Sequence, residues 1–181
     1  MREHSWRRWE IAGLLFTLAA GNLLHFAYKW SGQSTAAAVF SAVNESTWEH
    51  MKLLAVPWIL WTAVQAVVLR RSGAPVLSAR AAGLLAGLLA IPLLYYTYSG
   101  ILGENISLVN ITIFQLAVLL AFAVSWYMQK HHCLSAPLWQ LAGGIMLVGL
   151  AALFVLWTFQ PPELPVFIDP RTGLRGHPGR K

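Results

Sequence analysis

The segment 44-NESTWEH-50 brings ionisable side chains together in a chain that contains few of them. It contributes the carboxylates of Glu45 and Glu49 and the imidazole of His50. Carboxylates held close together require a cation, a shared proton or a basic partner, because like charges repel. A second imidazole, His25, lies inside the first long apolar segment, where an ionisable group is costly and marks a functional hypothesis. We therefore predict one polar cluster, in which Glu45 or Glu49 is the partner of His25.

This combination of side chains suits zinc or a similar divalent metal, because imidazoles and carboxylates are its ligands and a position can stay open for water. The predicted ligands are His25, Glu45, Glu49 and His50. The metal would make hydroxide near neutral pH, and a carboxylate would shuttle the proton. The predicted catalytic residues are Glu45, Glu49 and Tyr98. No HExxH or comparable motif is present, so the spacing alone is not specific for a metal site.

Other polar or aromatic residues are predicted to surround this cluster. They are Asn22, Asn44, Trp48, Tyr95, Asn110 and Asp169. Tyr95 and Tyr98 are three residues apart and share a helix face, so their hydroxyls could donate hydrogen bonds into a polar chamber. Asp169 opens the sequence 169-DPRTG-173, which favours a turn. Its carboxylate either caps that turn, which is the favoured interpretation, or joins the cluster.

A purely structural interpretation of the same segment stays open. The spacing Ser46-x-x-Glu49 matches a capping box, in which two side chains satisfy free amides at the start of a helix. A cap accounts for Ser46 and Glu49, but it leaves Asn44, Glu45 and His50 unexplained. If the segment were helical throughout, Glu45 and Glu49 would lie on one face and repel each other. The alternatives are a cap alone or a functional cluster that also caps the helix.

The elements that position these residues are membrane-type helices. The chain has 181 residues, is 57% hydrophobic and only 11% charged, and has a mean hydropathy of +0.56. Soluble domains carry about 25% charged residues. Five segments reach the roughly 20 mainly apolar residues that a membrane crossing requires. They are Trp9–Tyr28, Met51–Leu69, Ala81–Tyr98, Ile106–Met128 and Pro137–Phe159. We expect an all-α bundle of five transmembrane helices.

One connecting segment and the carboxyl-terminal tail are expected to cover one end of this bundle. A short interfacial or re-entrant helix is predicted over Thr35–Val43, because the segment is too short and too polar to span. The Pro-rich tail, residues 161–181, cannot be helical and is too apolar at Val166, Phe167 and Ile168 for a free tail. We expect it to fold back as a unit separate from the transmembrane domain, residues 1–160.

The distribution of charge predicts the orientation. The net charge is +6, but the basic residues stand in short clusters between apolar runs, which does not support nucleic-acid binding. One side collects Arg2, Arg7, Arg8, Arg70, Arg71, Arg80 and Lys130, and the other collects Lys29 and Lys52 before the tail. This bias predicts a cytoplasmic amino terminus and an extracytoplasmic carboxyl terminus in the cell membrane. A cleaved signal peptide is the rival interpretation of the first segment, and the continued apolar run to Ala27 favours a retained helix.

Helix geometry places the unusual polar residues near one end. His25 lies roughly 24 Å above Trp9 in a hydrocarbon core about 30 Å thick. We expect the inner half of the bundle to hold little beyond loop arginines, among them Arg80. The sequence His131-His132-Cys133 is interpreted as a solvated loop rather than a metal site. Gly83 and Gly87 form a GxxxG that lets helices approach closely, within the chain or in a homodimer.

Four stretches carry a resemblance to a known family: HFAYKWSG, FSAVNESTWEHMKLL, LLYYTYSGILG and PPELPVFIDPRTG. Together they span about His25 to Gly173, and the chain resembles an uncharacterised family of bacterial integral membrane proteins, domain-of-unknown-function family number 6512. The resemblance implies a small polytopic membrane protein and supplies no activity. Similar sequences often carry a histidine where this chain has Glu163, so no role is assigned to that position.

Three functional hypotheses follow, in this order. The first is a metal-dependent hydrolase or transferase that acts on a lipid or a lipid-linked group. The second is a small ion or solute transporter or an ion-binding protein, which would require access from both sides of the membrane. The third is a non-catalytic partner subunit of a membrane complex, which would require an exposed apolar patch for docking.

Overall fold

The computed structural model describes residues 4–69 and 74–177, so the basic positions 2, 70, 71, 180 and 181 lie outside the described part. Six α-helices follow one another: α1 His4–Trp30, α2 Thr35–Phe40, α3 Thr47–Leu69, α4 Val76–Leu102, α5 Ser107–Lys130 and α6 Pro137–Phe159. All except α2 are long and apolar enough to cross a membrane. The prediction of an all-α bundle with five such helices and a short helix between the first two is confirmed.

Most of the long helices extend beyond the apolar runs from which they were predicted. α1 begins at His4 rather than Trp9, and α4 runs from Val76 to Leu102 rather than from Ala81 to Tyr98. The extra turns contain polar residues that hydropathy counts as loop. Inside a bundle such residues remain helical when other helices supply their partners. The end of α4 is marked by Gly103, whose left-handed backbone (φ +72°) lets its N–H donate to the carbonyl of Ser99.

Helix α4 lies at the centre and packs against α3, α5 and α6, while α1 packs against α3 and α5. Small residues allow the close approaches. A Cβ on Gly83 would lie 2.5 Å from the carbonyl oxygen of Ala121 on α5, and one on Gly143 would lie 2.7 Å from that of Leu77 on α4. The GxxxG of α4 is therefore used inside the chain, against α3 and α5.

A buried ion pair connects four helices at one end of the bundle, which we call the Arg80 end. The side chains of Glu10 and Arg80 are 1% and 0% exposed, with Arg80 Nη1 3.4 Å from Glu10 Oε2. The amide groups of Gln65 and Gln129 each donate to Glu10 Oε1 over 2.7 Å. The expectation that this half contains little beyond loop arginines is wrong. Arg80 is the centre of a polar network instead.

Aromatic contacts complete the surroundings of Arg80. Its guanidinium carbon lies 3.5 Å from the ring centroid of Trp58, a cation–π contact, and its Nε donates to the hydroxyl of Thr62 over 3.0 Å. The indole N–H of Trp58 donates in turn to the carbonyl of Arg80 over 3.0 Å. The network thus fixes α1, α3, α4 and α5 relative to one another at the end opposite the predicted site.

Substituting Glu10 by alanine should destabilise the protein by roughly 3–5 kcal/mol, because it leaves the Arg80 guanidinium buried without its carboxylate. Thermal or denaturant unfolding in detergent micelles measures the loss. Glu104→Ala is the control, since Glu104 is exposed and a surface substitution changes stability by about 0.5 kcal/mol or less. Equal stability of the two variants would show that the ion pair does not hold the bundle together.

Candidate metal centre

Three of the four predicted ligands meet at the other end of the bundle, which we call the histidine end. His25 comes from α1, Glu45 from the segment before α3, and His50 from the first turn of α3. One ligand atom from each lies within 4.8 Å of the others. His25 Nε2 is 3.9 Å from Glu45 Oε1, and His50 Nε2 is 3.6 Å from Glu45 Oε2. The three side chains are 20–30% exposed, so they are mostly buried but can still be reached by an ion or a small ligand.

The hydrogen bonding of His50 defines its tautomer. Its Nδ1 lies 2.9 Å from the carbonyl oxygen of Ser46, which can only accept, so Nδ1 carries the proton. In the neutral ring the lone pair on Nε2 then points toward Glu45. A cation held between this nitrogen and the Glu45 carboxylate would be attracted by both groups. Metal-binding histidines typically donate the other N–H to a carbonyl in this way.

Helix α1 is brought close enough to contribute His25 by a glycine one turn earlier. A Cβ on Gly21 would lie 2.8 Å from the carbonyl oxygen of Leu53 on α3 and 2.4 Å from Cζ of Phe114 on α5. No larger residue fits there without moving backbone. His25 therefore faces the start of α3, where its ring centroid lies 5.5 Å from that of His50.

Glu45 is presented by a turn and by the carboxyl-terminal tail. The backbone N–H of Ser46 donates to Asn44 Oδ1 over 2.9 Å, and the N–H of Glu45 donates to Asp169 Oδ2 over 3.3 Å. Asn44 also donates through Nδ2 to the carbonyl of Gly176. Glu45 therefore precedes α3 instead of sharing a helix face with Glu49, and the tail supports its backbone directly.

Glu49, the fourth predicted ligand, is not brought to this group. Its carboxylate lies 2.6 Å from the ammonium nitrogen of Lys52, and the two side chains are 1% and 0% exposed. Lys52 also donates to the carbonyl of Ala38 on α2 and to the hydroxyl of Thr158 on α6, over 2.9 and 2.7 Å. Lys52 is thus a buried member of the bundle, not a loop cation, and its ion pair joins α2, α3 and α6.

The capping box is present in one half only. Ser46 Oγ accepts the N–H of Glu49 over 3.4 Å, as expected for the residue before a helix. The Glu49 carboxylate does not return to the N–H of Ser46. It accepts the N–H of Val43 over 3.1 Å and so ties the preceding segment to α3.

The other predicted site residues divide into two groups. Asn22 and Asn110 line the cavity beside the histidines, and Tyr95 lines a smaller adjoining cavity with Asn110. Tyr98 supports this wall, because its hydroxyl donates to Asn110 Oδ1 and accepts the N–H of Ile106 at the start of α5.

The remaining two lie where the tail packs against the start of α3: Trp48 is on α3 and Asp169 is in the tail itself. Trp48 packs against Phe154 and Phe167, with ring centroids 4.4 and 4.9 Å away. Asp169 caps its own turn, accepting the N–H of Arg171 over 2.7 Å, and holds the backbone of Glu45 as well. Asp169 therefore caps its turn, as the favoured interpretation expected. Its carboxylate also supports the backbone of Glu45 but is not part of the His/Glu/His group.

The cavity beside the histidines has a volume of about 140 Å³. Its polar lining includes Arg171, whose Nη1 lies 3.7 Å from Glu45 Oε1. Its apolar lining is formed by Gly21, Phe26, Leu53, Ile111 and Phe114. Arg171 was missed from the sequence, where 169-DPRTG-173 indicated only a turn. The structure does not bring His131, His132 or Cys133 into the group.

The fold and this site define a membrane-type helical bundle with a His/Glu/His group that can hold a metal ion. A family model described as a family of unknown function (DUF6512) matches residues 1–177, and the chain belongs to that family. No curated protein and no solved structure matches the chain significantly.

Lys52→Met should destabilise the protein by roughly 3–5 kcal/mol, because it leaves the Glu49 carboxylate buried without a cation. The double variant Glu49→Gln/Lys52→Met should recover much of that loss, because it leaves no unpaired charge buried. Unfolding in detergent measures both variants. The single variant Glu49→Gln completes the comparison. If the double variant lost as much unfolding free energy as Lys52→Met and Glu49→Gln lose together, the pair would not interact as described.

Proposed function

We propose that the protein is a membrane-embedded, metal-dependent hydrolase or transferase that acts on a lipid or lipid-linked substrate. The observation that carries the proposal is the contact between His50 Nε2 and Glu45 Oε2, at 3.6 Å, while His50 Nδ1 is engaged by a carbonyl. A divalent cation held by these two residues would be attracted by both, and His25 would supply a third ligand from α1.

The ligand set of the proposed site is His25, Glu45 and His50. Two imidazoles and one carboxylate are the set that catalytic zinc uses when a fourth position stays open for water. Zinc in such a site lowers the pKa of bound water to about 7. All three residues line the cavity, which would give water and substrate access to the metal. Glu49 has no part in this proposal, because its charge is used by Lys52.

The reaction that fits these groups is hydrolysis of an ester. The oxygen of water bonds to the electrophilic carbon or phosphorus, and the bond from that atom to the leaving oxygen breaks. Glu45 would hold the metal with one carboxylate oxygen, and its other oxygen would accept the proton of the attacking water and pass it to the leaving oxygen. In a transferase the hydroxyl of an acceptor takes the place of water.

Access from the lipid supports a lipid-like substrate. The cavity is lined by Phe26 on α1 and Ile111 on α5, whose side chains are 48% and 53% exposed on the apolar surface of the bundle. A chain lying between these helices would bring its polar end to the histidines. With the orientation expected from the loop charges, the site opens at the extracytoplasmic side of the cell membrane.

Ion or solute transport is the second candidate, favoured by the network at the Arg80 end. Sequence alone left that half without polar groups, whereas Glu10, Gln65, Arg80 and Gln129 are gathered there. Uptake of a labelled cation into proteoliposomes separates the two functions, because a hydrolase that does not transport gives no flux.

The metal should be present at about one zinc per chain in protein purified without a polyhistidine tag and dialysed against zinc. The variant His25→Ala/His50→Ala should lose it, whereas His131→Ala/His132→Ala should retain it. The second variant is the matched control, because it also removes two histidines but from outside the group. Elemental analysis of folded, monodisperse samples makes the measurement. Equal zinc in all three proteins, or none in the unsubstituted chain, would overturn the proposal.

A further inference from the structure

We propose that Arg171 binds the headgroup of the substrate, and that this headgroup is the phosphate of a lipid. The inference rests on the proposed metal centre and names the class of substrate for it. Its basis is the position of Arg171 at the mouth of the cavity, the charges around Glu45 and the apolar wall that faces them.

The backbone of Arg171 is held in place without help from its side chain. Its N–H donates to Asp169 Oδ1 over 2.7 Å, and the N–H of Gly173 donates to the carbonyl of Asp169 over 2.8 Å. Gly173 has a left-handed backbone (φ +72°), which closes the turn at little cost because glycine has no Cβ. The turn therefore fixes the backbone of Arg171 beside the cavity, while 60% of its side chain stays exposed.

Metal binding changes what Arg171 faces. Its Nη1 lies 3.7 Å from Oε1 of Glu45, whose carboxylate is one of the proposed metal ligands. A divalent ion that takes this carboxylate competes with Arg171 for it. The ion and Arg171 would together bring three positive charges to the single negative charge of Glu45. A lipid phosphate, such as the phosphomonoester of phosphatidic acid, would bring negative charge to these two cationic groups.

Phosphate suits the two cationic groups together. A guanidinium offers N–H donors in a planar fork that matches two phosphate oxygens, and a lysine cannot reproduce that geometry. A metal ion and an arginine on the same phosphoryl group also stabilise the charge that develops when the group is transferred. In this arrangement Arg171 would touch the substrate, while His25, Glu45 and His50 would hold the metal that activates the water.

The apolar side of the cavity argues for a lipid rather than a soluble phosphate. Leu53 and Phe114 close the inner wall, and Phe26 and Ile111 extend it to the exposed surface of α1 and α5. A headgroup bound at Arg171 would leave its acyl chains along this wall. Burial of each methylene there contributes about 0.8 kcal/mol when the chain would otherwise meet water.

The test is isothermal titration of the zinc-loaded protein with short-chain phosphatidic acid, dihexanoylglycerol, hexanoate or inorganic phosphate, with the zinc content measured in the same samples. Phosphatidic acid should bind well above the three other probes. Arg171→Ala should weaken its binding at least tenfold and leave the zinc content unchanged. Arg171→Lys should recover only part of the loss.

Arg175→Ala is the matched control, because Arg175 lies in the same tail and pairs with the exposed Glu163 instead. It should bind phosphatidic acid within twofold of the unsubstituted protein. Unchanged binding in zinc-loaded Arg171→Ala would overturn the inference, as would equal binding of hexanoate. Equal binding of inorganic phosphate would replace the lipid by a soluble phosphate and overturn it too.

The metal centre and the headgroup site fail separately in this experiment. Binding that depends on Arg171 in a protein without zinc would support the headgroup site and overturn the metal centre. Zinc in the protein without any phosphate binding would support the metal centre and overturn the headgroup site.

Discussion

Lys52 is the only lysine of the described residues without any exposed side-chain surface. The structure of the histidine end depends on the groups that pair with its buried ammonium. A buried ammonium group requires an anion and further acceptors, and Glu49, Ala38 and Thr158 supply them from three helices. The pairing holds α2 and the segment that follows it over the end of the bundle. It also assigns one of the two neighbouring carboxylates to structure, which leaves Glu45 to face the histidines.

The site follows from that division of charge. Glu45 lies on a turn just before α3, supported by Asp169 of the tail, and faces imidazoles from α1 and α3. Its position therefore depends on three separate parts of the chain. Such a group can accept a cation without disturbing the charges that hold the helices together. The tail also brings Arg171 to within 3.7 Å of Glu45, so the same segment that supports the carboxylate adds a positive side chain to the cavity lining.

Much of this could be predicted from the sequence, and the failures have a common cause. Hydropathy gave the five long helices because a membrane crossing has a required length and composition. It left Arg80 outside the apolar runs, and Lys52, within the second run, was counted with the charges flanking the membrane, since a charge near the end of an apolar run is usually solvated. Only the tertiary structure shows that each is buried beside a carboxylate, Glu49 or Glu10. Arg171 was missed for the same reason, because its role arises from a fold-back that brings it to residues more than a hundred positions earlier.

The measurement that tests the central claim most directly is X-ray absorption at the zinc edge of the zinc-loaded protein in detergent. The account predicts nitrogen and oxygen neighbours at about 2.0–2.2 Å, with scattering from two imidazole rings. His50→Ala should leave one ring. A sulfur neighbour at about 2.3 Å would place the ion at Cys133, and a shell without imidazole would remove it from both histidines. Either result would contradict the claim that Glu45, His25 and His50 form the metal centre.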